Sequence, residues 1–199
     1  MLKIKFSKYN LECGIDEAGR GCLAGPVTAA AVILRPNFNH SAINDSKKLS
    51  HKDREKLSKI IIENSISYSI QNIFPKKIDE MNILNASIKA MHKCIKNLKI
   101  RPDFLIIDGN KFKNFENIPH ETIIRGDEKY LSIASASILA KYSRDIFMKK
   151  LSKKFPNYFW SKNKGYPTIQ HKEAIKKHGI TVHHRKSFKL FDKQLIIDF

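Results

Sequence analysis

Apolar positions recur along this chain in two periods, and the changes of period divide it into elements. Leu11 to Ile15 reads as a buried strand running into a glycine-rich turn. The apolar run Val27 to Leu34 reads as the next strand, so the two form a hairpin around that turn. Asp45-Ser46-Lys47-Lys48-Leu49 is a loop. Ser50, with Asp53 three residues on, resembles a capping box for a helix carrying Leu57, Ile60 and Ile61 on one side. Ile66 to Phe74 alternates as a third strand. From about Asp79, the residues Leu84, Ile88, Met91, Ile95 and Leu98 fall at helical spacing. Phe104 to Ile107 is a short buried strand ending in Asp108-Gly109-Asn110, and Glu121 to Arg125 makes a fifth. Gly126-Asp127 opens a long helix from Lys129 to Lys150. Its first half is rich in small residues (Ser132, Ala134, Ser135, Ala136, Ser137, Ala140), a face that can sit close on a sheet. Beyond Pro156 the chain turns aromatic and basic, with a further helix over Thr168 to His178.

Strands first, then strands alternating with helices, predict an α/β fold: a mixed sheet flanked by helices. Functional groups of such folds collect outside the carboxyl ends of strands, where Asp16, Glu17 and Asp108 fall. The 199 residues suit one domain, and at 42% hydrophobic they can bury a core. No stretch approaches the roughly 18 consecutive apolar residues of a membrane span. The N-terminus alternates apolar and basic residues and lacks the apolar core of a signal peptide, so a cytoplasmic protein is expected. Cys13, Cys22 and Cys94 share no metal-type spacing and read as reduced thiols. The formal charge of +18 points to a polyanionic partner. Lysine far outnumbers arginine, however, and Ile and Asn abound, a mix that codon bias alone produces. The charge therefore leaves nucleic-acid binding open.

The candidate chemistry lies in Gly14-Ile15-Asp16-Glu17-Ala18-Gly19-Arg20-Gly21. Adjacent acids at a strand end can gather a divalent metal, and a Gly-Arg-Gly turn lets bare backbone approach a phosphodiester. Successive strand residues point to opposite faces, so Asp16 and Glu17 converge only if the strand ends or bulges there. Asp108 is either a turn-forming Asp before Gly or a ligand, and Asp127 is either a helix N-cap or a ligand. Tyr166 on spacing alone is a surface aromatic beside Gly165 and Pro167. Lys47 and Lys48 are phosphate contacts or a solvated loop. His171, His183 and His184 suit a structural role or backbone contact better than metal binding.

Taken together, these motifs resemble bacterial ribonuclease HII from Gly14 to about Phe188. The first motif continues as Leu23-Ala24-Gly25-Pro26-Val27. Asp45-Ser46-Lys47-Lys48-Leu49-Ser50 is similar to the second and Ile107-Asp108-Gly109 to the third. The fourth is Gly126-Asp127 followed by Ser132 to Lys141 and Arg144-Asp145. Lys164-Gly165-Tyr166-Pro167-Thr168 with His171, and His184-Arg185-Lys186-Ser187-Phe188, are similar to the C-terminal signatures. Cys22 is a departure, since the family usually has Pro there.

The resemblance implies an RNase H-like mixed five-stranded sheet flanked by helices, with a C-terminal helical extension. Residues 1–155 would form the catalytic part, and 156–199 an extension and tail of the same compact unit. It implies a metal site of Asp16, Glu17, Asp108 and Asp127 for Mg²⁺ or Mn²⁺. Four carboxylates can bridge two such ions ~3.5–4 Å apart once a substrate phosphate joins them. It also implies cleavage of the RNA strand of RNA–DNA hybrids, and cutting 5′ of a lone ribonucleotide in duplex DNA. Gly19, Arg20 and Gly21 would contact the 2′-hydroxyl and phosphates, Lys47 and Lys48 further phosphate, and Tyr166 the next, deoxy sugar. A monomer is expected. Ribonuclease HIII shares the fold but normally carries an extra N-terminal domain, and only Met1 to Asn10 precede the first strand here. A basic nucleic-acid-binding protein without catalysis is the alternative from another class, and the four intact acids argue against it. The ending Gln194-Leu195-Ile196-Ile197-Asp198-Phe199 resembles a peptide that docks on the sliding clamp through Gln194, Leu195, Ile197 and Phe199. The alternative is a last strand packed on the protein's own core.

Overall fold

The computed structural model describes residues 2–43, 46 and 49–190. Its elements are β1 (Glu12–Ala18), β2 (Val27–Leu34), α1 (His51–Glu63), β3 (Ser65–Ile73), α2 (Pro75–Lys96), β4 (Phe104–Asp108), β5 (His120–Ile123), α3 (Leu131–Lys154), α4 (Trp160–Asn163) and α5 (Ile169–His178). Short 3₁₀ turns at Gly126–Glu128 and Pro156–Tyr158 precede α3 and α4. The strands form one five-stranded sheet in the order β3-β2-β1-β4-β5. Strands β1 to β3 pair antiparallel, while β4 pairs parallel with both β1 and β5. The expected α/β architecture and the β1–β2 hairpin are thus present.

Alternate residues along the strands face opposite sides of the sheet and build two cores. Cys13, Ile15, Val27, Ala29, Ala31, Leu105 and Ile107 face α2. Ala18, Ala30 and Val32 face α1 and α3. All ten residues from Leu131 to Ala140 are buried. The small-residue start of α3 does bring helix and sheet close. A methyl group added at Gly14 of β1 would meet the Ser132 carbonyl carbon at 2.2 Å and the Ile133 nitrogen at 2.5 Å. A third core joins Leu23, Ala24, Met148 and Leu151 to Tyr158, Trp160, Ala174 and Ile175, seating the C-terminal helices on α3 and on the loop after β1.

Several boundaries differ from the sequence expectation for identifiable reasons. β1 continues through Asp16 and Glu17 because pairing with β2 persists to Ala18↔Thr28, whereas pairing with β4 stops at Ile15↔Ile107. α2 begins earlier, with Pro75 in its first turn, and is kinked at Asn82, where φ is 65°. The regular apolar spacing therefore starts only after the kink. α3 begins at Leu131 with Tyr130 as its N-cap, so Asp127 lies in the preceding turn and does not cap the helix. Ser50 does cap α1: its Oγ accepts from the Asp53 amide at 3.2 Å and donates to the Asp53 carboxylate at 2.6 Å. The three cysteines are free and buried. Among the described residues, no helix is long and apolar enough to cross a membrane.

Candidate active site

Where β1 outruns its β4 neighbour, a cleft of about 780 Å³ opens at the carboxyl end of the sheet. Asp16, Glu17 and Asp108 line it together. Asp16 and Glu17 reach the same cleft because the strand ends just past them, at Ala18, one of the two routes that the sequence allows. The strand stays regular, and the cleft crosses its free end, so that both faces reach it. Gly19, Arg20, Gly21 and Tyr166 also line this cleft.

Each acid is held by local structure. Asp16 is buried, and its Oδ1 accepts from the Glu17 amide at 2.6 Å. The Ser137 hydroxyl of α3 also bonds its carboxylate, and Ser137 lies 3.0 Å from the Ser46 hydroxyl. Asp108 Oδ1 accepts from the Gly126 amide at 2.7 Å, which ties β4 to the turn bearing Asp127. Asp127 is itself buried in that turn, one residue along, and does not line the cleft. Burial, then the neighbouring charges of Glu17 and Asp108, push the Asp16 carboxyl well above its ordinary range. Burial also raises Glu17, against the lowering effect of Arg20, whose Nη1 lies 3.1 Å from Glu17 Oε1. Arg20 is half exposed, so this pair is worth little and can open to an incoming phosphate.

The donor set fits a divalent ion. Its atoms are hard carboxylate oxygens, and their mutual repulsion is the kind that a cation relieves. Among the described residues, no three acidic, histidine or cysteine groups already form an ion cage.

The same cleft also carries basic side chains. Arg54, Lys141, Lys162 and Lys164 are among its lining residues. Asp145 holds two of them, with Lys141 Nζ at 2.8 Å and Arg54 Nη2 at 3.7 Å. Arg54 Nη1 also donates to the Ser46 and Leu49 carbonyls at 2.7 and 2.5 Å. Lys47 and Lys48 lie outside the described residues, as does the tail from Gln194 to Phe199.

Two buried arginines shape the loops, and their roles were not read from the sequence. Arg185 donates to the Gly19, Arg20 and Gly25 carbonyls at 2.7, 2.7 and 3.1 Å. Arg144 donates to the Pro26, Lys164 and Ala24 carbonyls at 2.9, 2.9 and 3.0 Å. Gly19, with φ 90°, must be glycine on two counts: a methyl there would lie 2.0 Å from Arg144 Nε. The available signal was Ser137, Lys141, Arg144 and Asp145, where Ser137, Lys141 and Arg144 or Asp145 follow one another at three- or four-residue spacing and so share one side of the helix. Tyr166 packs between these elements, with Lys141 Nζ 5.3 Å and Arg144 Cζ 5.7 Å from its ring centroid. Burial raises its hydroxyl to about 12, so it stays protonated. Cys22 is buried beside it, Sγ 3.8 Å from the Lys164 carbonyl. His171 makes the expected backbone contact, Nδ1 at 2.9 Å from the Tyr166 carbonyl.

The family model for ribonuclease HII matches residues 13–191. A ribonuclease HII of Christiangramia forsetii is 60% identical over 186 residues, covering 94% of each chain. Among solved structures, the ribonuclease H2 of Pyrococcus horikoshii superposes with a TM-score of 0.77 at 24% identity, covering 90% of this chain and 94% of that one. The RNase HII of Archaeoglobus fulgidus, solved as a complex with PCNA, gives 0.76 at 26% identity, with coverage of 93% and 98%. Bst-RNase HIII, solved with Mn²⁺, gives 0.70 at 17% identity, covering 90% of this chain and 67% of that one.

Proposed function

The chain belongs to the ribonuclease HII family and is a ribonuclease H endonuclease, and we propose that it cuts on the 5′ side of ribonucleotides, including a single one embedded in duplex DNA. One observation carries this reading. Asp16, Glu17 and Asp108 line one cleft together with Arg20, Lys162, Lys164 and Tyr166, an arrangement suited to a metal-assisted cut in a polyanionic backbone. Asp16, Glu17 and Asp108, joined by Asp127 from the adjoining turn, would hold Mg²⁺ or Mn²⁺ with help from a substrate phosphate. The Mn²⁺-bound relative supports that choice of ion. Such an ion would supply Lewis acidity for activating a water and stabilising the leaving 3′-oxygen.

The remaining roles belong to the chain. Arg20 leaves Glu17 for the phosphate, while the Gly19 to Gly21 backbone reads the 2′-hydroxyl, the one group that separates RNA from DNA. Tyr166 packs on the following deoxy sugar. Lys141, Lys162 and Lys164, with Lys47 and Lys48 outside the described residues, track the backbone. Mapping the ends of a duplex cut at one ribonucleotide tests the reaction. Expected products carry a 3′-hydroxyl and a 5′-phosphate; a 2′,3′-cyclic phosphate would mean that the 2′-hydroxyl attacks and water does not.

The PCNA complex of the Archaeoglobus relative supports a second element, docking of Gln194, Leu195, Ile197 and Phe199 on a sliding clamp. Ile197 and Phe199 would be its apolar anchors. Deleting residues 194–199 should abolish clamp binding and leave cleavage of a short duplex unchanged. A lower melting temperature together with lost activity would instead place those residues in the protein's own core.

A further inference from the structure

A chain of buried imidazoles ends on the backbone of Tyr166. The Thr181 amide donates to His184 Nδ1 at 2.9 Å. An amide can only donate, so neutral His184 carries its proton on Nε2. That nitrogen lies 3.3 Å from His171 Nε2, which also receives the Trp160 indole N–H at 2.9 Å. His171 Nε2 is thereby an acceptor, and its proton sits on Nδ1, which donates to the Tyr166 carbonyl at 2.9 Å. Trp160, His171 and His184 have essentially no solvent exposure. Burial lowers both histidines, His184 to about 4, consistent with a relay locked in its neutral form. Nothing in the reaction uses these rings, yet each of their nitrogens has a partner.

We propose that His171 is a positioning residue for ribonucleotide recognition. Its Nδ1–H fixes the Tyr166 carbonyl, and with it the angle at which the tyrosine ring meets the sugar beside the ribonucleotide. The inference rests on the role of Tyr166 proposed above. The Tyr166 backbone is otherwise held by its own amide on the Asn163 carbonyl at 2.9 Å and by the Thr168 amide, which donates to the Tyr166 carbonyl at 2.8 Å. Losing the imidazole donor therefore loosens the carbonyl without releasing the loop.

The test compares kcat/KM on a duplex with one embedded ribonucleotide and on a long RNA–DNA hybrid, for wild type, His171→Leu, His171→Asn and Tyr166→Ala. The ratio of the first to the second should fall about tenfold in His171→Leu, the size of one hydrogen bond. It should return to within about twofold of wild type in His171→Asn, whose amide can donate from the place of Nδ1. An equal loss on both substrates, or no recovery in His171→Asn, overturns the proposal. If Tyr166→Ala lowers the ratio while His171→Leu leaves it unchanged, the relay alone fails. If Tyr166→Ala leaves it unchanged, the tyrosine reading fails and takes the relay with it. Should His171→Leu not fold, ring ¹⁵N spectra of the wild-type protein decide. Protonation of His171 on Nδ1 is expected, and protonation on Nε2 overturns the scheme.

Discussion

Asp16→Asn or Asp108→Asn should lower cleavage about a thousandfold or more while leaving the fold and hybrid binding intact. An anionic oxygen donor contributes several kcal/mol to holding and orienting a catalytic ion, and each ~1.4 kcal/mol is tenfold in rate. Neutral Asn keeps the shape of the side chain and removes the charge. Stability without metal should move in the opposite direction. Burial and two neighbouring carboxylates raise Asp16 above its ordinary value of 3.8. The unfolded chain therefore gives up this proton at a lower pH than the fold does, and the metal-free fold loses stability as pH rises from 3.8 through the raised value. At neutral pH the Asn variant escapes that loss, so its metal-free melting temperature should equal or exceed that of wild type. Cleavage at the wild-type rate in Mg²⁺ would remove Asp16 or Asp108 from the site.

Arg185→Met should cost about 4 kcal/mol of stability and weaken cleavage of every substrate. The guanidinium is fully buried and bonded to three carbonyls of the loop after β1. A hydrogen bond to a charged group contributes roughly 1.5–3 kcal/mol, and the three act on one loop, so they fall short of adding. Burial lowers Arg185 to about 10, which still leaves it charged at neutral pH. Methionine has similar bulk but strands those carbonyls. Arg185→Lys should recover less than half of the loss, because one ammonium cannot span carbonyls spread over a planar fork. An unfolding free energy within about 1 kcal/mol of wild type would show that the loop keeps its shape without the fork.

Much of this molecule is legible in its sequence because the strong signals are local. The apolar run at Val27 to Leu34 must be buried on both faces, and β2 is. The small residues of α3 announce a close approach, and Gly14 abuts Ser132. Asp16, Glu17 and Asp108 follow apolar strands, and the cleft lies at those strand ends. What was illegible depends on partners far along the chain. Arg185 reaches Gly19 across 166 positions, and the Ser46–Ser137 contact spans 91. Periodicity carries no information about such pairs. The sequence left open whether β1 ends or bulges at Asp16 and Glu17; it ends at Ala18, beyond the point where β4 stops pairing with it, and that point depends on a strand distant in sequence.

The central claim is that the acid cluster is the metal centre, and the most direct measurement is the shift in melting temperature caused by Mn²⁺ at neutral pH. An ion held by these acids would bind the folded state and not the unfolded chain, so it would stabilise in proportion to its occupancy. Wild type should rise steadily with Mn²⁺ concentration, while Asp16→Asn and Asp108→Asn, starting level or higher, should rise little or not at all. An equal rise in all three proteins would place the ion elsewhere and contradict the account.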